Sequence, residues 1–188
     1  MTGNRSQDGE DHFLVARVVA SHDVDAFGEL IRRHQSHVRN FMRKLTGDVS
    51  AADDLAQDAF MHAWDKLSTY SGKGSFVGWL LKVAYTTFLQ SKRKSKRYTE
   101  ILDEATRQNA VLSRGHATLA EEAPDLERLL AVLSDEERAV MIMSYSCGLS
   151  HREIGEATGQ PVGTVKSIIH RSKDKIRTSF ELEDHKYG

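Results

Sequence analysis

The chain is poor in cysteine and proline and lacks long apolar runs. Among its 188 residues are one cysteine and two prolines. A single cysteine, Cys147, excludes an internal disulfide and fits a reducing compartment. No apolar run approaches the ~20 residues that span a bilayer, and the polar start MTGNRSQDGED lacks a signal-peptide core. We therefore expect a cytoplasmic protein without membrane insertion.

The charges of the chain are segregated along the sequence. The net charge of -1 argues against a generally basic nucleic-acid-binding coat. However, residues 82–97 carry six cations and no acid, and residues 166–177 carry five cations and one acid. Residues 98–137 carry ten acids against three arginines. Two basic stretches therefore flank an acidic one.

The first half of the chain has the apolar periodicity of helices. Helices are predicted over 11–20 and 25–45, the second with an apolar stripe at three- and four-residue steps. Ser50, with Asp53 as its capping-box partner, is predicted to start a third helix, and Ser75 a fourth. The third helix is expected to bury Leu55, Ala59, Phe60, Ala63, Trp64 and Leu67.

The second half begins with a polar, acidic segment over residues 98–124 that ends at Pro124, which is typical of a linker, with helical patches expected around ILDEAT. A helix is predicted from Asp125 to Leu133. The next two begin with capping boxes, Ser134 with Glu137 and Ser150 with Glu153. Gly163 and Thr164 open the last one.

These elements predict an all-α fold class, since no segment has the two-residue period of a strand. We expect two small helical domains joined by a flexible linker, the C-terminal one a four-helix domain with a helix-turn-helix. The predicted boundaries are 1–97 for the first domain, 98–124 for the acidic linker and 125–188 for the second domain.

The segment SHREIGEATGQPVGTVKSIIHRSKDKIR predicts the helix-turn-helix. It has a capped short helix, a glycine turn and a longer helix with the apolar stripe Val165, Ile168, Ile169, Ser172 and Ile176. Cations on the other faces can meet phosphates, and polar side chains can meet base edges. The DNA-contact candidates are Arg152, Thr164, Lys166, Ser167, His170, Arg171 and Lys173. A helical hairpin with a solvated basic face would show much of the same pattern.

The run EIGEATGQPVGTVKS followed by HRSKDKIR resembles the fourth region of extracytoplasmic-function sigma factors of the sigma-70 family. Helix-turn-helix regulators of the LuxR kind share part of this pattern. The resemblance implies that the last helix reads the minus-thirty-five element of a promoter. Ile168 stands where related sequences often carry a cation, which moves this position from DNA reading toward the core.

The run DAFGELIRRHQSHVRNFMRKLTGDVSAADDLAQDAFMHAWDKL is similar to the second region of the same family. The resemblance implies that its second half docks on the β′ clamp helices of RNA polymerase core. An acid-rimmed apolar patch suits a basic partner helix. The candidates are Asp53, Asp54, Leu55, Gln57, Asp58, Phe60 and Met61. The alternative is that the acids only favour the helix amino terminus through its dipole.

The run GKGSFVGWLLKVAYTTFLQSKRKSKR resembles the family segment that reads the minus-ten element and holds the opened strand. Cations supply electrostatic attraction, and aromatic or polar side chains can hold an extruded base. The candidates are Lys82, Tyr85, Thr86, Thr87, Gln90, Lys92 and Arg93. Thr86 and Gln90 depart from the usual family residues, so the resemblance does not imply the family's usual base preference at minus ten. Phe76 and Trp79 are expected in the core, and KRKSKR alone also fits a solvated helix end.

The resemblance identifies the chain as a sigma factor that directs core polymerase to promoters and assists DNA melting. It implies promoter DNA, the β′ clamp helices and β flap of core polymerase, and an anti-sigma factor as partners. No catalytic residue or cofactor is expected, because nothing in the sequence resembles a nucleophile triad, a phosphate-binding loop or a metal centre. No metal site is expected either, because His34 with His37 and Cys147 with His151 are pairs without the further ligands of a structural zinc site. A stand-alone DNA-binding regulator and a protein-binding adaptor such as an anti-sigma factor remain alternatives.

Overall fold

The protein is described by a computed structural model that covers residues 3–106 and 125–187, with side chains for residues 8–101 and 128–179. Within these ranges it contains helices and turns and no strand, which confirms the all-α prediction. No helix there is apolar over the length that a membrane crossing needs. The helices are α1 (Gly3–Ser21), α2 (Val24–Thr46), α3 (Val49–Lys66), a short 3-10 turn (Leu67–Thr69), α4 (Phe76–Thr106), α5 (Asp125–Ala131), α6 (Asp135–Tyr145), α7 (His151–Thr158) and α8 (Val162–Tyr187).

The apolar stripe of α2 forms the centre of the first domain. The Asp23 carboxylate caps α2 by accepting a hydrogen bond from the Ala26 amide at 2.9 Å, and Gly47 ends it in the left-handed conformation at φ 68°. Of the predicted stripe only Ile31 is half-buried. The buried members are Phe27, Leu30, His34, Val38, Phe41, Met42 and Leu45.

A buried polar pair joins α1 to α2. His34 Nε2 lies 2.8 Å from Asp11 Oδ2, and both side chains are almost fully buried. The guanidinium of Arg33 approaches the other Asp11 oxygen to 3.6 Å. A buried charge is costly unless it is paired, so this contact fixes where α1 lies on the domain. The His34 side chain therefore serves to hold α1 in place through Asp11.

The prediction that Ser50 caps α3 is wrong. The cap is Asp48, whose carboxylate accepts from the Ala51 amide at 2.8 Å. The Thr46 hydroxyl holds the preceding turn by donating to the Asp48 carbonyl at 2.9 Å. The helix therefore starts at Val49, and Ser50 lies within its first turn.

The buried side of α3 also differs from the prediction, because small residues form it. The alanines Ala52, Ala56, Ala59 and Ala63 are buried. Leu55, Phe60 and Trp64, which we expected in the core, are only partly buried. Alanines let α3 approach α2 closely, so the larger side chains lie at the margin of the contact and remain accessible.

The helix α4 is longer than the sequence pattern indicated. The Ser75 hydroxyl accepts from the Gly78 amide at 3.1 Å at its start, as expected of a cap. The helix then runs past Arg97 to Thr106. The predicted start of the linker at residue 98 therefore lies inside a helix, and the rest of the predicted linker, 107–124, lies outside the described residues.

Both predicted capping boxes are present in the second domain. Ser134 with Glu137 starts α6, and Ser150 with Glu153 starts α7. The turn after α7 requires a glycine within that helix, because a Cβ on Gly155 would lie 2.7 Å from the Gln160 carbonyl oxygen.

Two predicted ends in the second domain shift slightly. α5 ends at Ala131, and α8 begins at Val162, two residues before Thr164. The α8 stripe is confirmed: Val165, Ile168, Ile169 and Ser172 are buried and Ile176 partly so. The two domains pack together, α7 against α4 and α6 against α2.

Candidate nucleic-acid and partner interfaces

The outer face of α8 presents cations away from its buried stripe. Lys166, Ser167, His170, Arg171 and Lys173 are exposed, as is Arg152 on α7, and Thr164 is half-buried. Within the described part of the chain, Lys166 and Arg171 form no ion pair or hydrogen bond. They are therefore available to phosphate oxygens.

The other polar residues of this face have neighbours within the second domain. His170 Nδ1 lies 3.0 Å from Asp174 Oδ2, and Arg152 Nε lies 3.4 Å from Glu156 Oε1. The Lys173 ammonium lies 5.2 Å from the centre of the Tyr145 ring. These contacts are exposed and therefore weak, so DNA can displace them.

The exposed side of α3 combines acids with an apolar groove. Asp54, Gln57, Asp58 and Met61 are exposed, and Met61 keeps 63% of its surface accessible. Leu55 and Phe60 are half-buried. A groove of about 440 Å³ lies between α2 and α3. It is lined by Val24, Phe27, Ile31, Gln57, Phe60, Met61, Trp64 and Asp65.

Asp53 differs from the other α3 acids, because its carboxylate faces cations of the same chain. Asp53 Oδ1 lies 3.5 Å from Arg43 and 3.8 Å from Arg39, both on α2. Asp58 forms no ion pair among the described residues. The acid candidates on α3 therefore divide into Asp53, which is held within the domain, and Asp54 and Asp58, which are exposed and available to a partner.

Sequence reasoning missed the α2 side of this groove. Val24 keeps 70% of its surface accessible, and Phe27 and Ile31 also line the groove. The sequence pattern predicts that the apolar stripe of α2 is one buried face. The width of the α2 stripe could have indicated the groove, because Val24, Phe27 and Ile31 recur at three- and four-residue steps along one edge of the stripe.

The candidates on α4 are split between surface and interior. Lys82, Gln90, Lys92 and Arg93 are exposed and Thr86 is half-buried, while Phe76 is buried as predicted. Thr87 is buried within the first domain, where its hydroxyl contacts His62 Nδ1 at 3.0 Å and donates to the Val83 carbonyl at 3.0 Å. The prediction that Thr87 meets DNA is therefore corrected, because its hydrogen bonds hold it in the core.

Tyr85 is also buried, with 5% of its surface accessible. Its ring stacks on Phe88 with centres 6.4 Å apart. Burial, together with the carboxylates of Glu136 and Asp135, raises the pKa of Tyr85 to about 12.

Two helical domains, one of them with a helix-turn-helix and a cationic outer face, define a DNA-binding protein that also carries a surface for a protein partner. The family models for sigma-70 region 2 and sigma-70 region 4 match residues 30–98 and 124–176. The chain belongs to the sigma-70 family, as a sigma factor of the extracytoplasmic-function type.

Named relatives and solved structures agree with this assignment. The ECF RNA polymerase sigma factor SigW of Bacillus subtilis is 28% identical over 82% of this chain and 89% of that protein. The probable RNA polymerase sigma-C factor of Mycobacterium bovis is 27% identical over 98% of both chains. CnrH, solved with the cytosolic domain of CnrY, has a similar fold with a TM-score of 0.67 at 22% identity, covering 92% of this chain and 98% of that chain. The sigma factor RpoE, solved with the anti-sigma factor NepR from Bartonella quintana, gives a TM-score of 0.66 at 23% identity over 85% of this chain and 99% of that one.

Proposed function

We propose that the two domains of this sigma factor divide promoter recognition between them. Residues 1–97 bind core polymerase and the minus-ten element, and residues 125–188 bind the minus-thirty-five element and the β flap. Residues 98–124 join them as an acidic segment suited to the basic channel of the polymerase. The chain acts in the cytoplasm, where polymerase and promoter DNA are, and has no catalytic role of its own.

The observation that carries the proposal is the arrangement of charge on α8. Its buried residues fix the helix on α6 and α7, while Lys166 and Arg171 lie exposed and unpaired among the described residues. A helix held this way can enter a major groove with its cations toward the phosphates. Ile168 is 4% exposed and makes no contact with DNA in this arrangement.

We assign core binding to α3 and the groove beside it. The groove offers accessible Met61, Phe60 and Trp64 for apolar contact, and Asp54 and Asp58 are the acids that meet a basic helix of the β′ clamp. Apolar anchors supply most of the affinity of such interfaces, and charges supply orientation and rate. Asp53 contributes less, since Arg43 and Arg39 already face it.

We assign minus-ten recognition to the exposed residues of α4 and to Tyr85. Lys82, Lys92 and Arg93 attract the strand, and Thr86 and Gln90 supply polar contacts. Tyr85 is 5% exposed, so it can stack on a base only after a rearrangement has uncovered its ring. Thr87 is left out of this assignment.

We further propose that an anti-sigma factor controls the chain. RpoE and CnrH share this fold, and RpoE was solved with the anti-sigma factor NepR and CnrH with the cytosolic domain of CnrY. The groove between α2 and α3 and the exposed face of α8 are the surfaces that such a partner has to cover to prevent transcription.

The test combines purified chain with core polymerase. We expect a stable complex by gel filtration and run-off transcripts from promoters found by mapping start sites after overexpression. DNA binding without any binding to core would favour the stand-alone regulator, and core binding without transcripts from any promoter would favour the adaptor.

A charge reversal at Asp58 tests the docking surface. Asp58→Arg is expected to weaken core binding by roughly tenfold or more, because it places a cation before a basic partner helix. Asp53→Asn is the matched variant, and we expect a change of less than about threefold, because that carboxylate is paired within the chain. Core affinity is measured by fluorescence anisotropy of labelled chain, with circular dichroism as the control for folding. Equal affinities for wild type and Asp58→Arg would refute the assignment of α3.

A further inference from the structure

His22, which follows the last residue of α1, carries a side chain at a helix end where the chain elsewhere uses glycine. Its backbone is left-handed, with φ 52°, and among the described residues no other residue except glycine has a positive φ. Gly47 and Gly159 end α2 and α7 in the same conformation, at φ 68° and 75°. This conformation is strained for most side chains and free for glycine. The histidine therefore carries a conformational cost that a glycine would avoid.

Several contacts hold the turn at His22 in this conformation. The His22 amide donates to the Val18 carbonyl at 2.8 Å, which closes the end of α1. The Arg17 guanidinium donates through Nε to the Asp23 carboxylate at 3.0 Å, and the same carboxylate caps α2. A strained backbone persists only where its surroundings fix it. The link between α1 and α2 is thus a fixed turn that sets the direction of the side chain at position 22.

The His22 ring lies against Trp64, near the end of α3. The two ring centres are 6.5 Å apart, and the ring planes meet edge to face at 67°. Trp64 meets the Phe27 ring of α2 in the same way, at 5.0 Å and 72°. Aromatic pairs favour edge-to-face contacts at such distances. The indole of Trp64 is therefore held by one ring from α2 and one from the turn that precedes α2.

Trp64 forms part of the wall of two neighbouring cavities. One is the groove between α2 and α3, which Trp64 lines together with Phe60 and Met61. The other is a crevice of about 290 Å³, which Trp64 lines together with His22 and Val19. Trp64 is only partly buried, so the packing of α3 alone does not fix its indole. Loss of the His22 ring would widen the crevice into which the indole can turn.

We infer that His22 is a positioning residue for core binding, because its strained turn holds Trp64 in place as a wall of the groove between α2 and α3. This inference rests on the proposed role of that groove. His22 acts through Trp64 and does not itself have to touch the polymerase. A side chain that is already fixed loses less conformational freedom on binding. A fixed indole therefore raises the affinity for the partner helix, and a mobile one lowers it.

Two substitutions separate this role from a role in folding. His22→Gly removes the ring and relieves the backbone, so the melting temperature should stay unchanged or rise by up to about 4 °C. Its core affinity should fall by about three- to tenfold. His22→Phe keeps an aromatic ring on a strained backbone, so the melting temperature should fall while core affinity stays within about twofold of wild type. A residue needed only for folding would change stability and affinity in the same direction.

Core affinity is measured by fluorescence anisotropy of the labelled full-length chain, and thermal unfolding is followed by circular dichroism. Phe13→Ala is the matched control, because it removes an aromatic ring from α1 that keeps 65% of its surface accessible. Surface substitutions of this kind have small effects, so core affinity should stay within about twofold of wild type.

The indole of Trp64 can also be observed directly, since the chain has two tryptophans. Labelling with fluorinated tryptophan gives one fluorine NMR resonance for each, and Trp64→Phe assigns them. In the free chain we expect His22→Gly to shift or broaden the Trp64 resonance and to leave that of Trp79 unchanged. Phe13→Ala should leave both resonances as they are in wild type.

A double-mutant cycle tests whether His22 acts through Trp64. Trp64→Ala removes the wall itself and should weaken core binding at least as much as His22→Gly does. In the Trp64→Ala background, His22→Gly should change core affinity by less than about twofold, because the ring then has no indole to hold.

Three results would overturn the inference. One is wild-type core affinity in His22→Gly. Another is a Trp64 resonance that this variant leaves unchanged. The third is a loss of core affinity in folded His22→Phe as large as in His22→Gly. Undiminished core binding by Trp64→Ala would instead refute the assigned role of the groove, and the positioning role with it, while the Trp64 resonance still reports whether His22 holds the indole.

Discussion

The helices α8 and α4 are both long and cationic, yet they present their charges differently. On α8 the apolar stripe is buried within the second domain, and Lys166 and Arg171 lie opposite it without partners among the described residues. On α4 the candidates are divided: Thr87 is in the core, Tyr85 is covered, and Lys92 is paired with Asp135 of the other domain. The cations of α8 are accessible in the free chain because the second domain alone positions them. The accessibility of the α4 candidates also depends on where the second domain lies.

The largest effect is expected from removing the free cations of α8. Lys166→Ala with Arg171→Ala should weaken binding of a minus-thirty-five duplex by about 2–4 kcal/mol, a loss of roughly 30-fold or more. The salt dependence of binding should also become shallower, because fewer counterions are released. The measurement is a salt titration of duplex affinity by fluorescence anisotropy.

The matched control for this variant is Arg17→Ala with Arg32→Ala, which also removes two cations. Both arginines pair with acids of the first domain, Asp23 and Glu29 respectively. We expect the duplex affinity and its salt slope to stay within about twofold of wild type. If both double variants lost affinity equally, net charge and not the α8 face would account for binding.

A smaller effect is expected from disturbing the turn that positions α8. Gly155→Ala brings a Cβ to 2.7 Å from the Gln160 carbonyl oxygen, so α7 and the turn that leads into α8 have to move apart. We expect the free energy of unfolding to fall by about 1–3 kcal/mol and duplex binding to weaken with it. Chemical denaturation followed by circular dichroism measures the change.

Gly163→Ala is the control, because nothing lies within 4 Å of a Cβ at that position. The same substitution in the first turn of α8 should leave stability unchanged or raise it by up to about 1 kcal/mol through helix propensity. If both alanine variants had the same stability, the close approach at Gly155 would not be what positions α8.

The smallest effect concerns Glu153, which lies between the domains at the start of α7. Burial raises the pKa of Glu153. Hydrogen bonds from Ser75 and Ser150 lower the pKa by more than burial raises it, so the net pKa is below the ordinary 4.5. A lowered folded-state pKa stabilises the protein above the unfolded pKa, and this stability is lost as pH falls through the folded pKa. Glu153→Gln should therefore cost less than about 1 kcal/mol at neutral pH, and the difference from wild type should shrink below about pH 4.5.

Thermal unfolding of wild type and Glu153→Gln from pH 7 down to the lowest pH at which both fold measures this difference. Ser75→Ala removes the interdomain donor while keeping the Ser150 capping box. It should show part of the same pH-dependent loss. A difference between wild type and Glu153→Gln that does not change with pH would contradict the linkage.

Features that depend on a few consecutive residues were predictable. The capping boxes at Ser134 and Ser150 and the stripe of α8 were read correctly, because a cap needs one hydroxyl and one carboxylate three residues apart. Ser50 was read wrongly because Asp48 satisfies the same local rule two residues earlier. A local pattern does not decide which of two neighbouring residues caps the helix when both can do so.

The errors in α3 and α4 have other physical causes. The size of Phe60 and Trp64 predicts that they lie in the core. The close packing of α3 on α2 buries the alanines there, and the larger side chains line an accessible groove. In α4 the loss of apolar periodicity after Arg97 was read as a helix end, although the residues that follow include no glycine or proline up to Thr106. The bond between Ser75 and Glu153 joins residues far apart in the chain, so no local pattern could indicate it.

The burial of Ile168 should weaken the base preference at one position of the promoters that this chain uses. Where an exposed cation would select one base, this chain offers a side chain that is 4% exposed, so residue 168 does not discriminate among the bases under the proposed orientation of α8. An alignment of the promoters that this sigma factor uses should therefore carry less information at one position within the minus-thirty-five element, while the positions opposite polar side chains that can meet base edges, such as Ser167 and His170, keep theirs.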